Sequence, residues 1–470
     1  MKTAIIWFRQ DLRLQDNPAL QSALEHAEHI IPVFIDDTKS TSLSQPGSAS
    51  NVWLHHSLHS LTKDLQNTLG ASLIIRKGDP LNCLRTLLEE TGAEQLYWNR
   101  CYDPASIARD TIIKQQLAQQ ASIKTFNASL LYEPWEILKA DNTPYRVYTA
   151  YWNRMRRFGF NHPLSMSVLA RQQQGPTPPS LCINDLSLLP SLNWADNMMQ
   201  HWTVGEDEAH NKLTNFINTH LLHYKEHRNN PHLTGTSSLS PHLHFGEISP
   251  RQIVQAIIQY RDSHPRATEA CEVFLKEIVW RDFAYYLLYH YPQTVDQPLD
   301  TRFENFPWLC DTEAHLEAWQ KGLTGIPIVD AGMRQLWHTG WMHNRVRMIV
   351  ASFLTKNLLI PWQEGEHWFR DTLVDADLAS NVFGWQWAAG SGADAAPYFR
   401  IFNPVLQSRK FDSEGEYIRC WIPELANMNS KHIHHPEKAF NGYPAPVVDL
   451  KASRERALEA FSSIKNGSRH

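Results

Sequence analysis

Three short stretches of this sequence bring acids, cations and flat rings onto shared helix faces. In CEVFLKEIVWRDF, Glu277, Trp280 and Arg281 stand at i, i+3 and i+4, so they lie on one side of a helix. An acid, an indole and a guanidinium side by side can recognise a polar planar ligand. A core tryptophan flanked by a surface ion pair has the same pattern. In GWMHNRVRMIVASFL, Asn344, Arg347 and Met348 share a face. Buried Asn and Arg require partners, and Asp375 in DADLASN is placed to satisfy Arg347. The alternative is a solvated pair contributing at most about 1 kcal/mol. In TGTSSLSPHLHFGEISPR, Thr236, Ser237, Ser238 and Ser240 gather hydroxyls with backbone N–H groups. Such a turn suits phosphate, and it equally suits a plain capping loop.

Asp375 and Asp377 also raise two-metal phosphodiester hydrolysis, which needs further ligands close by. The His-rich stretch KHIHHPEK (431–438) lies well downstream without metal-ligand spacing, so no metal site is expected. NVFGWQWAAGSGADAAPYFRIFNP (381–404) sets Trp385 and Trp387 against a run of Gly, Ala and Ser. Small residues let something large and flat approach the backbone. The chain carries 17 tryptophans, a residue that stacks on flat ligands.

The elements that must position these residues fall into two kinds. Up to about residue 135, apolar β-type runs at 4–8, 29–35, 71–76, 94–99 and 122–127 alternate with helical patterns at 51–68, 80–91 and 105–119. That alternation implies a parallel five-stranded, Rossmann-like sheet covered by helices. Asp16, Asn17 and Pro18 read as a cap and first turn after the first strand. No GxGxxG or GxxxxGK[ST] follows it, which disfavours those nucleotide sites. The Gln-, Pro- and Ser-rich stretch at 165–200 reads as a linker. Helical patterns then run at 206–219, 249–261, 268–290, 313–321, 328–339, 341–357 and 364–374, and SSIKNGSRH reads as a frayed end. The expected organisation is an α/β domain at 1–135, a linker at 136–200 and a large all-α domain at 201–470.

Bulk properties narrow the class further. A chain of 470 residues exceeds one ordinary core. Its 42% hydrophobic and 20% charged content suit a globular protein, and a net charge of −5 leaves nucleic-acid binding to a local basic face. Six scattered cysteines without a CxxC pair point to a reducing compartment, the cytoplasm, with no disulfide framework. No secretion signal or membrane span is expected, and a monomer is the default.

WFRQDLRLQDNPAL, TGTSSLSPHLHFGEISPR, FLKEIVWRDF, TGIPIVDAGMRQLWHTGWMHNRVRM and GWQWAAGSGADAAPYFRIFNP, taken in order, resemble the DNA photolyase/cryptochrome family over nearly the whole chain. The resemblance implies a helical domain holding U-shaped FAD. It implies light-driven repair of cyclobutane pyrimidine dimers in UV-damaged DNA, by electron transfer from excited reduced flavin to a flipped lesion. By motif position, Tyr224 with Thr236, Ser237, Ser238, Leu239 and Ser240 would hold the FAD phosphates and ribityl chain. Arg347 and Asp375 would pair beside the isoalloxazine, Ala376 and Asp377 would share that segment, and Asn381 would face flavin N5. Trp385, Trp362 and Trp308 would relay electrons to the surface, with Trp387 left to packing. Glu277 would bond a thymine edge, Trp280 would stack on the lesion and Met348 would line its pocket. Arg228, Arg281, Asn344, Arg345 and Gln407 would meet DNA or the lesion, the arginines gripping phosphate.

Asn344 and Met348 bear on the lesion. Relatives that repair (6-4) photoproducts carry histidines at both places to move a proton, which neither Asn nor Met can do at neutral pH. The resemblance is therefore to cyclobutane-dimer enzymes, most like the bacterial class I group. The alternative is a cryptochrome-type blue-light photoreceptor with the same flavin. Signalling members often carry a long C-terminal extension, and this chain ends soon after KASRERALEAF. Val382 and Phe383 stand where some bacterial relatives have Asn and Gly. The expected antenna is 5,10-methenyltetrahydrofolate, with a deazaflavin or no antenna as the alternatives. Arg100 in YWNRCYDP stands where some folate-binding relatives place an acid.

Overall fold

The computed structural model describes residues 2–37, 45–165, 175–395 and 399–466. Part of the expected linker (166–174) and residues 396–398 of the tryptophan-rich stretch lie outside them. Five parallel strands, β1 (Thr3–Phe8), β2 (His29–Asp37), β3 (Ile74–Gly78), β4 (Gln95–Asn99) and β5 (Ser122–Phe126), form one sheet in the order β3-β2-β1-β4-β5. Every residue of β1, TAIIWF, is buried, as a central strand covered on both faces requires. Pro18 opens the first helix, and the Asn17 side chain accepts the Leu20 N–H at 3.1 Å. The strand expected at 71–76 starts later, at Ile74. Gly70 ends the preceding Ser48–Leu69 helix in the left-handed region (φ 68°), and the next residues complete that turn.

The loop after β1 braces the sheet against the helical domain. Arg13, 1% exposed, donates to the carbonyls of Gln15, Asp16, Ala128 and Gly246. Asp16, also 1% exposed, accepts from Ser249, Arg251 and the Leu164 N–H. Glu206 accepts the Leu14 and Gln15 N–H groups at 2.6 and 2.9 Å.

The remainder is predominantly helical. Thr268–His290 and Glu206–Thr219 form where helices are expected. The pattern at 341–357 divides in two. His343 caps the Asn344–Ser352 helix by accepting the Arg345 N–H, and a π turn follows at Phe353–Asn357. Two helices differ from the sequence expectations. Tyr148–Phe158 lies inside the stretch assigned to the linker and buries Tyr148, Tyr151, Trp152 and Met155. Leu450–Asn466 enters the stretch expected to fray, whose last residues, 467–470, lie outside the described ones; Ala457, Ala460 and Ile464 pack with Phe303 and Phe399. Among the described residues, no helix is long and apolar enough to cross a membrane.

Candidate functional site

The site is assembled where the Thr268–His290, Asn344–Ser352, Trp362–Thr372 and Leu378–Ala389 helices meet the Thr236–Ser240 loop. Arg347 reaches both oxygens of the buried Asp375 through Nη2, at 3.0 and 2.9 Å, and donates from Nε to the Met342 carbonyl at 2.7 Å. Ala376 packs beside this pair, against the main helical core. Asp377 caps the Leu378–Ala389 helix, accepting the Ser380 N–H at 2.7 Å, and takes the Tyr285 hydroxyl on its other oxygen. Burial alone would raise the Asp377 pKa. His244 at 4.0 Å, the charge of Arg281 and the Tyr285 hydroxyl outweigh burial and hold the carboxyl well below the usual carboxylate range. One turn on, the Asn381 amide gives Nδ2 to the Glu366 side chain (3.0 Å) and backbone carbonyl (3.2 Å). The end of Asn381 left over is its acceptor, Oδ1. Glu366 is held in turn by Arg370 at 2.5 Å.

The Thr236–Ser240 loop closes one side. Ser238 takes a left-handed φ of 51°. Leu239 is buried, and Ser240 Oγ accepts from Trp341 Nε1 at 3.3 Å. Among the described residues, nothing accepts the N–H groups of Thr236, Ser237 and Ser238. Trp341 lies against Arg347, 5.9 Å from its guanidinium carbon, which links the loop to the buried pair. Tyr224 is buried against Phe216 and Phe274, with Arg228 over its ring.

Above this floor lies a rim of charged and flat groups. Arg228 Nη1 meets Glu277 Oε1 at 2.7 Å, both half-buried. One turn along, Trp280 carries Tyr148 on its face, with ring centroids 3.5 Å apart and planes 8° from parallel. Phe383 closes on Trp280 from another side at 5.8 Å, while Val382 turns into the core. Asn344 is exposed at its helix start, and Arg345 holds Asn229 Oδ1 at 2.7 Å while touching Met348 Sδ at 3.5 Å. Arg345 also lies over Phe411, at the end of the Pro404–Phe411 helix that carries Gln407. Arg281 donates to the Ser129 carbonyl at 2.6 Å and lies over the Tyr285 ring, with its side chain mostly buried.

Trp385 and Trp362 belong to one buried cluster, and Trp308 packs on its edge against Phe306 at 4.4 Å. Phe369 and Trp319 touch Trp385 at 5.0 and 6.0 Å. The helices carrying Trp362 and Trp385 approach closely because residue 365 is glycine: a Cβ there would sit 2.1 Å from the Trp385 ring. The small residues after Trp387 make room for the chain itself. Ala388 and Ala389 are buried in the core, Gly390 turns at φ 95°, and a Cβ on Gly392 would lie 2.9 Å from the Trp387 nitrogen.

The donor set fits a flavin dinucleotide. Burial, then the charges of Arg345 and Arg347, push the His343 pKa down to about 4. Its Nδ1 accepts the Arg345 N–H, so the proton of the neutral ring sits on Nε2, which is buried with no partner among the described residues. Among the described residues, an unused buried donor on His343, three unpaired loop N–H groups and the Asn381 acceptor lie on the elements that carry or adjoin the Arg347–Asp375 pair. Left unmet, a buried donor costs about 1–3 kcal/mol. A phosphate- and amide-bearing cofactor answers those needs, and Arg347, Asp375, Asn381 and the Thr236–Ser240 loop would hold it. No group of three or more His, Cys, Asp or Glu able to hold a metal occurs among the described residues. Arg100 is engaged internally, donating to Glu133 and to Thr125 Oγ1 at 2.8 Å, so a folate antenna would be held through other side chains. Sequence reasoning missed His343, Glu366, Tyr148 and Tyr285. Only Glu366 carried a local signal, its i,i+4 spacing to Arg370.

Comparison with known proteins agrees with this geometry. Residues 4–168 match the DNA photolyase family, and residues 274–463 match the FAD binding domain of DNA photolyase. A deoxyribodipyrimidine photo-lyase of Agrobacterium fabrum is 45% identical, with 99% of each chain covered. Cryptochrome-2 of Arabidopsis thaliana is 37% identical over 99% of this chain and 79% of its own length. The crystal structure of a class III photolyase from Agrobacterium tumefaciens superposes with a TM-score of 0.92 at 44% identity, covering 99% of this chain and 98% of its own. The fold, the buried cluster and these likenesses over almost the full length lead to one conclusion: this chain belongs to the DNA photolyase family.

Proposed function

We propose that this protein is a deoxyribodipyrimidine photo-lyase that repairs cyclobutane pyrimidine dimers in UV-damaged DNA in the light. It acts as a cytoplasmic monomer, with residues 1–135 as antenna domain, 136–200 as linker and 201–470 as flavin domain. The observation that carries the reading is the rim: a half-buried carboxylate, Glu277, paired with Arg228 beside an indole, Trp280, braced flat by Tyr148. When bound and reduced, FAD supplies the light absorption and the single electron that opens the cyclobutane ring and afterwards returns.

This chain's residues do the rest. Arg347 keeps positive charge beside the cofactor and so favours its anionic form. Glu366 fixes the Asn381 amide, whose Oδ1 would be the atom offered to the flavin. The Thr236–Ser240 loop, with Tyr224 beside it, grips the phosphates and ribityl chain. The lesion reaches the pocket by flipping, which costs a few kcal/mol and less for a damaged, poorly stacked pair. Trp280 then stacks on the dimer, Met348 and Asn344 line its pocket, and Glu277 exchanges Arg228 for a thymine N–H. Arg228, Arg345 and Gln407 hold the flanking backbone. Trp385, Trp362 and Trp308 carry electrons inward during photoreduction. Likeness at 44% identity to a class III enzyme favours that subclass over class I. Folate remains the proposed antenna.

The test is an absorption spectrum of the purified protein, then illumination with an oligonucleotide bearing one cyclobutane dimer. Flavin bands and loss of the dimer in light alone are expected. Flavin without repair means a photoreceptor, and metal-dependent nicking in the dark means a hydrolase.

A further inference from the structure

From Asn142 to Asn184 the chain contains no Asp or Glu, although 49 occur among its 470 residues. Of the arginines in this span, Arg171 lies outside the described residues, and the others are Arg146, Arg154, Arg156 and Arg157. Three of these four lie on the Tyr148–Phe158 helix and the fourth lies just before it. The helix buries Tyr148, Tyr151, Trp152 and Met155 and leaves Arg156 and Arg157 exposed. Arg146 is exposed and rests on the Tyr291 ring with its Nε on the hydroxyl; Arg154 rests on Phe158, and its Nε has no partner among the described residues. Among the described residues, the carboxylate within ion-pair range of this group is Glu272, 3.6 Å from Arg156, and Lys276 shares it at 3.2 Å.

The helix is tied to the rim. Its first residue, Tyr148, is the ring stacked on Trp280, and its hydroxyl donates to the Lys276 carbonyl at 2.6 Å. Arg156, near its other end, meets Glu272, two turns before Trp280. The helix therefore runs antiparallel to the Thr268–His290 helix, away from the lesion pocket, and reaches about 14 Å at the helical rise. Cations in a last turn favour a helix C-terminus, which accounts for Arg156 and Arg157. It does not account for Arg146, which sits at the positive end of the helix dipole.

We propose that Arg146, Arg154 and Arg157 form a phosphate-binding strip that holds duplex DNA flanking the lesion on one side of the pocket. This rests on the repair reading above and extends its DNA contacts onto a helix outside the flavin domain. The strip reads no sequence: exposed guanidiniums that meet phosphate oxygens release counterions and add affinity that falls with salt.

The test is the double variant R154Q/R157Q, with R157Q alone as a second variant because Arg157 is exposed and Arg154 packs on Phe158. Dark binding is measured across a salt series for two dimer-bearing DNAs, a duplex of about 30 base pairs and a single strand of about five nucleotides. The expected result is a salt slope on the duplex shallower by about 2 for the double variant and about 1 for R157Q, with weaker duplex binding at each salt. Affinity for, and light-driven repair of, the short strand stay at wild-type values. Unchanged duplex slopes in both variants, with the wild type repairing the short strand, overturn the strip alone. A wild-type protein that neither binds nor repairs the short strand overturns the repair reading, and the strip with it.

Discussion

Two polar clusters of this molecule are built from the same residue types and behave differently. The brace after β1 buries Arg13, Asp16, Glu206 and Arg251, and its charged groups are met by other groups of the chain. The polar cluster around Arg347 and Asp375 leaves, among the described residues, a donor on His343, an acceptor on Asn381 and three loop N–H groups without partners. A fully paired network rigidifies. A network with unmet groups asks for a ligand. The difference separates structural from binding polarity where sequence motifs alone do not, since WFRQDLRLQDN and TGTSSLSPHLHF are equally polar to read.

Breaking the brace has the largest effect. Asp16→Ala strands Arg251 in a buried site, and loss of about 3–5 kcal/mol in chemical unfolding is expected. The flavin spectrum of whatever protein stays folded should be unchanged. A stability loss under about 1 kcal/mol would mean the brace is not the stabilising cluster. Next comes pH. Burial raises Glu206 from 4.5 to about 7, and the hydrogen bonds from Leu14 and Gln15 only partly offset it. Between those values the folded state holds a proton that the unfolded state has lost, so stability falls as pH rises. Relative to Glu206→Gln, the wild type should lose up to about 3 kcal/mol across that window. Parallel pH profiles of the two proteins would refute this.

The binding cluster should answer in function instead. Glu277→Ala removes a charge-assisted hydrogen bond worth about 1.5–3 kcal/mol, so dimer affinity or repair drops roughly 10- to 100-fold. Unfolding free energy should move by less than about 1 kcal/mol and FAD should stay bound. A stability loss matching that of Asp16→Ala would erase the contrast between the clusters. Trp385→Phe sharpens it with the smallest structural change. Photoreduction of oxidised flavin slows, while enzyme reduced beforehand repairs at the wild-type rate. Equal loss of both remove the relay role.

Much of the frame was legible because local apolar runs and their order along the chain suffice for it. The Thr268–His290 helix and the central strand β1 carry their burial in their own residues. The Tyr148–Phe158 helix did not show itself, since Tyr, Trp and Val around it favour strands as readily, and its main ring partner, Trp280, lies far along the chain. Helix-face arithmetic placed Glu277, Trp280 and Arg281 together, yet a long guanidinium side chain chooses among neighbours, and Arg281 went to the Ser129 carbonyl. The Asn381–Glu366 lock was invisible because it depends on two helices drawn together at Gly365.

By itself the sequence determined the α/β-then-helical architecture, the Arg347–Asp375 pairing and the family resemblance, because these rest on periodicity, charge complementarity and contiguous motifs. The tertiary structure alone decided which polar groups satisfy one another and which are left for a ligand. Hydrogen-bond saturation belongs to three-dimensional neighbours, and no order of residues along a chain records it.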